Sequence, residues 1–162
     1  MTHFSAAPTR RTVLRAAAWT APAVTIAVAA PALACSPGTP CGTAGPLTIV
    51  RQGTVLRLTT TLTTDQALTG VSAVVTLSYV GANDTRVTST TVSAPWATSG
   101  HGVASATFTA AALDRGDISF SPRINLDNTS FDSVSVSVTF TWAGNTQGVT
   151  TSGTYAKDAS LP

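Results

Sequence analysis

Residues 132–142 read Asp-Ser-Val-Ser-Val-Ser-Val-Thr-Phe-Thr-Trp. Val134, Val136, Val138, Phe140 and Trp142 fall on one side of an extended chain, and Ser133, Ser135, Ser137, Thr139 and Thr141 on the other. A helix would scatter those residues around its axis, because its period is 3.6 and not two. One apolar face and one hydroxyl face predict a strand of an antiparallel sheet packed on one side only.

The same period recurs on both sides of this stretch. Leu56, Leu58 and Leu62 share a face of 54–63, against Arg57, Thr59 and Thr61. Val71, Ala73, Val75, Leu77 and Tyr79 share a face of 71–80, and Ala104, Ala106 and Phe108 one of 103–110. Over 118–126, Ile118, Phe120, Ile124 and Leu126 alternate with Ser119, Ser121, Arg123 and Asn125. Turn residues separate the runs: Thr69-Gly70, Gly81-Ala82-Asn83-Asp84, Ser99-Gly100-His101-Gly102, Arg115-Gly116-Asp117 and Gly144-Asn145. The last pair predicts a hairpin between 132–142 and 147–156. The run Ala-Ala-Ala-Leu at 110–113 is read as one helical turn.

Roughly seven or eight short strands at this spacing predict an all-β, antiparallel immunoglobulin-like β-sandwich rather than a closed barrel. The expected organisation is a leader over 1–34, a Cys/Pro/Gly spacer over 35–46 and one sandwich domain over 47–158. Ser and Thr make up 40 of the 128 residues from Cys35 onward. Thr suits a pleated surface and keeps it wet without charge, so this richness needs no special function.

Charge bounds the partners. The chain of 162 residues has nine Lys+Arg, seven Asp, no Glu and a net charge of +2, with a pI near 8.8. Arg10, Arg11 and Arg15 all stand in the first 15 residues, and every acid lies beyond residue 60. The rest of the chain keeps six cations against seven acids, a net of −1. A nucleic-acid partner is excluded, because no surplus of cations remains to displace phosphate counterions. A helical bundle is disfavoured by the same composition, with no Glu and a single Lys, Lys157.

The first 34 residues carry a targeting pattern. Thr-Arg-Arg-Thr-Val-Leu-Arg at 9–15 precedes an apolar run over 16–34, broken by Pro22 and Pro31 and closed by Ala32-Leu33-Ala34. A charged segment, an apolar segment and a small-x-small end form an export signal. The segment resembles the twin-arginine signal: Arg10 and Arg11 match its paired arginines and Leu14 its leucine, while Val13 stands where Phe is usual. The resemblance implies export through the twin-arginine machinery, general secretion being the other route, and cutting by signal peptidase after Ala34. The two prolines and the Ala-rich run argue against a permanent membrane span. Abundant Ala, Thr, Val and Asp with scarce Lys and no Glu resembles the small exported proteins of actinobacteria, secreted or held at the cell envelope.

Cutting there makes Cys35 the first mature residue, with Cys41 following in Cys-Ser-Pro-Gly-Thr-Pro-Cys. Two readings stand. An oxidising compartment favours a Cys35–Cys41 disulfide across a Pro-Gly turn. The other is lipidation of Cys35, for which Ala34 fits the preceding position while Ala32 and Leu33 do not. The membrane is otherwise met only through the leader. Two cysteines and one histidine are too few for a zinc site, and no cofactor is expected.

The remaining candidates are single residues. His101, with Ser99 beside it and Asp114 and Asp117 as acids, is the raw material of a Ser-His-Asp triad. No nucleophile elbow or oxyanion loop accompanies it, so it reads as a solvated loop histidine and the protein as a non-enzyme. Asp114, Asp117, Asp127 and Asp132, with Asn125 and Asn128, offer oxygen ligands of the kind calcium takes, but they lack the EF-hand pattern and are ordinary turn residues. Arg115-Gly116-Asp117 reads as turn chemistry. Trp96, in Ala-Pro-Trp-Ala, either plugs the end of the core or stacks on a ligand. Trp96 and His101 are therefore the candidate ligand contacts. The expected role is a surface or secreted module meeting a protein or glycan partner, the alternative being a carbohydrate-binding module built on Trp96.

Overall fold

The computed structural model describes residues 40–81 and 84–157. The leader with Arg10, Arg11, Leu14, Ala32 and Ala34, and the residue after it, Cys35, lie outside the described residues.

Among the described residues eleven strands form: β1 (Gly42–Ala44), β2 (Thr48–Gln52), β3 (Val55–Thr64), β4 (Leu68–Val80), β5 (Val87–Thr91), β6 (Ala97–His101), β7 (Ser105–Leu113), β8 (Gly116–Phe120), β9 (Arg123–Leu126), β10 (Ser133–Trp142) and β11 (Asn145–Ala156). Every pairing is antiparallel. One sheet is built on β3, with β1 and β2 along one edge, β8 and β9 along the other, and β5 beyond β9. The second has the order β11-β10-β4-β7-β6. Strands 1–2, 3, 8–9 and 5 facing strands 11, 10 and 4 reproduce the immunoglobulin-like arrangement, with β7 and β6 widening the second sheet.

The count exceeds the expected seven or eight for two reasons. Proline breaks two long strands, because it has no N–H to give a ladder. Pro46 separates β1 from β2, although both follow β3, and Gly45 N still donates to Thr61 O at 2.7 Å. Pro122 separates β8 from β9 in what reads as one run over 118–126, and its carbonyl accepts from Leu58 N at 3.1 Å. The short β5 and β6 are the second reason, since Val-Thr-Ser-Thr-Thr and Ala-Thr-Ser-Gly-His carry no apolar alternation to read.

Two expectations are corrected. The stretch 35–46 is not all spacer, since β1 lies inside it and Ala44 joins the core. Gly42 lies under Trp142, where a Cβ would come within 3.0 Å of the indole, and Trp142 Nε1 donates to Pro40 O at 3.2 Å. The run 110–113 is strand and not helix: Ala110 pairs with Val71 and Leu113 with Leu68. Four alanine-rich residues cannot pay for a helical nucleus, whereas the ladder is already formed beside them.

The apolar face of every run read above turns inward. Val134, Val136, Val138, Phe140 and Trp142 are all buried, as are Leu56, Leu58 and Leu62. The predicted hairpin forms, with Trp142 opposite Asn145 and Phe140 opposite Val149. The extra residues on β11 make a bulge at Gly148, whose φ is +71° and whose Cβ would collide with the Phe140 carbonyl oxygen.

Replacing Phe140 by Ala is expected to cost about 3–5 kcal/mol in urea unfolding, the range for emptying a buried aromatic site. Thr59→Ala, on an exposed row, is expected to change stability by no more than about 0.5 kcal/mol.

Candidate functional site

Trp96 sits in the connection that carries the chain from β5 in one sheet to β6 in the other. It is 4% exposed. Its ring meets Phe120 edge-on at 4.9 Å and Phe140 at 5.8 Å, and Nε1 donates to Ser119 O at 3.2 Å. A stacking platform needs an open ring face, and this ring has none. The ligand-contact expectation for Trp96 is therefore corrected: the residue closes the core, and a carbohydrate platform has no aromatic there.

His101 ends β6, is exposed, and pairs with Ala106 near the start of β7. Asp114 follows the far end of that strand. Seven residues of strand put the two more than about 20 Å apart. Asp117 is farther still in role: it belongs to the other sheet and accepts from Thr63 Oγ1 at 2.7 Å. The residues of the hypothetical triad do not meet.

The acids divide between the two ends of the sandwich. Asp114 and Asp117 lie where β3 and β8 pair at Thr64 and Gly116. Asp127 accepts from Arg86 N at 2.8 Å, and Asp132 N donates to Val80 O at 2.8 Å, both at the opposite end. No group of three metal-ligating side chains forms among the described residues. Arg115-Gly116-Asp117 is turn chemistry, with Gly116 at φ +118° opening β8.

Near the start of the described chain, Cys41 and Asp65 clasp each other. Cys41 N donates to the Asp65 carboxylate at 2.8 Å, and Asp65 N returns a bond to Cys41 O at 3.2 Å. With Gly42, Thr43, Thr63 and Thr64 they line an open depression of about 200 Å³. Cys41 is not a free thiol.

One cluster escaped the sequence. Arg51 shares the inward row of β2 with Ile49, at the end of the sandwich where β11 finishes. Its guanidinium carbon lies 6.0 Å from the centre of the Phe131 ring and 5.7 Å from that of Tyr155, within cation–π range. Phe131 is fully buried and packs on Tyr79 at 5.4 Å. Arg51 Nη1 and the Tyr79 hydroxyl are both buried without a hydrogen-bond partner. Burial, and secondarily the Asp127 carboxylate, push the Tyr79 pKa up to about 12. Period-two reading places Arg51 on the inner row, but only the fold shows that this row ends between aromatic rings.

Two solved structures are similar to the chain in outline. One is an uncharacterized protein from Nocardia farcinica with an immunoglobulin-like fold: 16% identity, 70% of this chain and 96% of that one covered, TM-score 0.42. The other is the GAE domain of GGA2p from Saccharomyces cerevisiae: 13% identity, 82% and 97% covered, TM-score 0.24. No protein-family model matches the chain, and neither does any curated protein.

Tyr79 gives a pH prediction. Its folded pKa is above the ordinary value of 10, so between pH 10 and about 12 the unfolded chain has lost a proton that the folded one keeps. The Tyr79 contribution is whole below pH 10 and falls away as pH rises through that window. Unfolding measured across it is expected to show a shallower alkaline loss for Tyr79→Phe than for the parent.

Proposed function

We propose that the chain is an exported immunoglobulin-like module, secreted or held at the cell envelope, that acts through its surface and carries no catalytic centre. The observation that carries this reading is the pattern Thr-Arg-Arg-Thr-Val-Leu-Arg at 9–15 with an apolar run ending in Ala32-Leu33-Ala34, followed within eight residues by the first strand of a sandwich at Gly42. A leader that stops just short of a folded body is a leader made to be removed. The body that follows has a net charge of −1 from Cys35 onward.

Export proceeds by the twin-arginine route through Arg10 and Arg11, and signal peptidase cuts after Ala34. Cys35 then joins Cys41 in a disulfide that closes the new terminus. Two features support this: Cys41 is not a free thiol, and the clasp between Cys41 and Asp65 holds its backbone against β3. So short a ring contributes roughly 2 kcal/mol. Its larger effect is to protect an exposed chain end. The partner is a protein or glycan of the cell surface, met through strands and turns rather than through Trp96.

Fractionation of the exporting cell with mass analysis of the mature N-terminus tests the reading. The expected product lies outside the cytoplasm, begins at Cys35, and has both thiols oxidised. A diacylglycerol adduct on Cys35 would replace the disulfide with a lipid anchor, and an uncut leader would end the export reading. Replacing Arg10 and Arg11 together by Lys is expected to leave the precursor in the cytoplasm. Undiminished export of that variant would assign the general secretory route instead.

A further inference from the structure

The two outer faces of the sandwich differ in kind. On the β3 sheet, Arg57 and Arg123 are exposed and stand directly opposite each other, with Asp117 on the same side. On the second sheet the outward rows of β10, β4 and β7, and of β11 past its bulge, hold Ser, Thr, Val and Ala and no charged or aromatic side chain, while the exposed Gln147 before the bulge and the exposed His101 at the end of the edge strand β6 stand at the margins. The pairing aligns them in ranks across the sheet. One rank runs Thr150, Thr139, Val74, Thr107.

Several of these side chains are already tied to their neighbours. Ser135 and Thr154 share a hydrogen bond at 3.1 Å, and Thr139 and Thr150 one at 2.9 Å. Val74 and Val80 stand among them, 38% and 59% exposed. The face is thus partly ordered and cheap to dry, since removing water from a hydroxyl costs far less than removing it from a charge. A hydroxyl also both donates and accepts, so a field of hydroxyls is complementary to itself in a way that a charged field is not. Like charges would meet if the Arg57–Arg123 face were doubled on itself; nothing comparable happens here.

We propose that the outer face of the second sheet seats the same face of a second copy of this chain, forming a two-fold dimer of sandwiches. The dimensions are sufficient. With strands about 4.8 Å apart and about 3.4 Å per residue, the face spans roughly 20 by 30 Å. That is about 600 Å² per copy and about 1,200 Å² for the pair, above the ~1,000 Å² a specific interface needs. A two-fold contact of this kind is isologous, so a rank on one side of the axis meets the rank on the other side of the second copy, and only a rank on the axis meets itself. Val74, central in its strand, lies near that axis. The dimer does not depend on the export reading.

Sedimentation of the full chain across a concentration series tests it. The parent is expected to pass from one to two copies as concentration rises. Val74→Asp and Thr139→Lys each place like charges across the axis and are expected to raise the dissociation constant tenfold or more, with the folded circular-dichroism spectrum kept. Thr59→Lys, on the other sheet, is expected to leave it unchanged. A parent that stays monomeric at every concentration overturns the proposal. So does a dimer that survives both face variants while they remain folded, or that dissociates equally with Thr59→Lys.

Discussion

Four aromatic rings meet where the two sheets face each other, and the fold is organised around that junction. Phe120 touches Trp96, Phe108 and Phe140 at ring separations of 4.9, 5.4 and 5.3 Å. All three contacts are edge-on, the arrangement that sets the positive rim of one ring against the negative face of the next. Phe120 comes from the β3 sheet and Phe108 and Phe140 from the other, so the cluster fixes the distance between them. Trp96 belongs to the link that crosses from sheet to sheet, which makes the crossing part of the core. The position is thereby committed to structure and withdrawn from recognition.

Away from that centre the inward rows stay largely apolar, with Thr60 and Thr64 on β3 as buried exceptions and Trp142, Tyr79 and Phe131 toward the sheet ends. At the far end the row of β2 turns from Ile49 to Arg51, whose charge is spread over Phe131 and Tyr155. A cation resting on rings keeps much of its stabilisation without a carboxylate. Two polar atoms there still lack partners, which makes this end energetically less settled than the middle.

Much of this was legible in the chain before any fold was known. Alternation identified β3, β4, β7 and β10, and the run that becomes β8 and β9, and which of their faces is dry, because a strand buried on one side has no other way to be written. The hairpin was legible for the same reason, through Gly144-Asn145. What escaped reading was decided by partners. Strands β5 and β6 have no dry side of their own to announce. Alanines at 110–113 favour a helix in isolation and a ladder beside 68–71. Prolines at 46 and 122 interrupt strands whose continuation depends on β3. The Arg51 cluster gathers residues from positions 51, 79, 131 and 155, and no local pattern links them.

The path of the chain has one more consequence. Residues 40–42 enter beside Asp65 and Trp142, at the end of the sandwich where β11 begins. Lys157 leaves at the other end, where its amide donates to Asp132 O at 2.8 Å. A pull between these two points therefore runs along the strands. It loads the rungs between β10 and β11, and between β2 and β3, together and in shear, where an entry and exit at the same end would open them singly like a zip. The described chain thus enters and leaves a strand's length of about 40 Å apart, with Arg51, Tyr79 and Asp127 at the exit end.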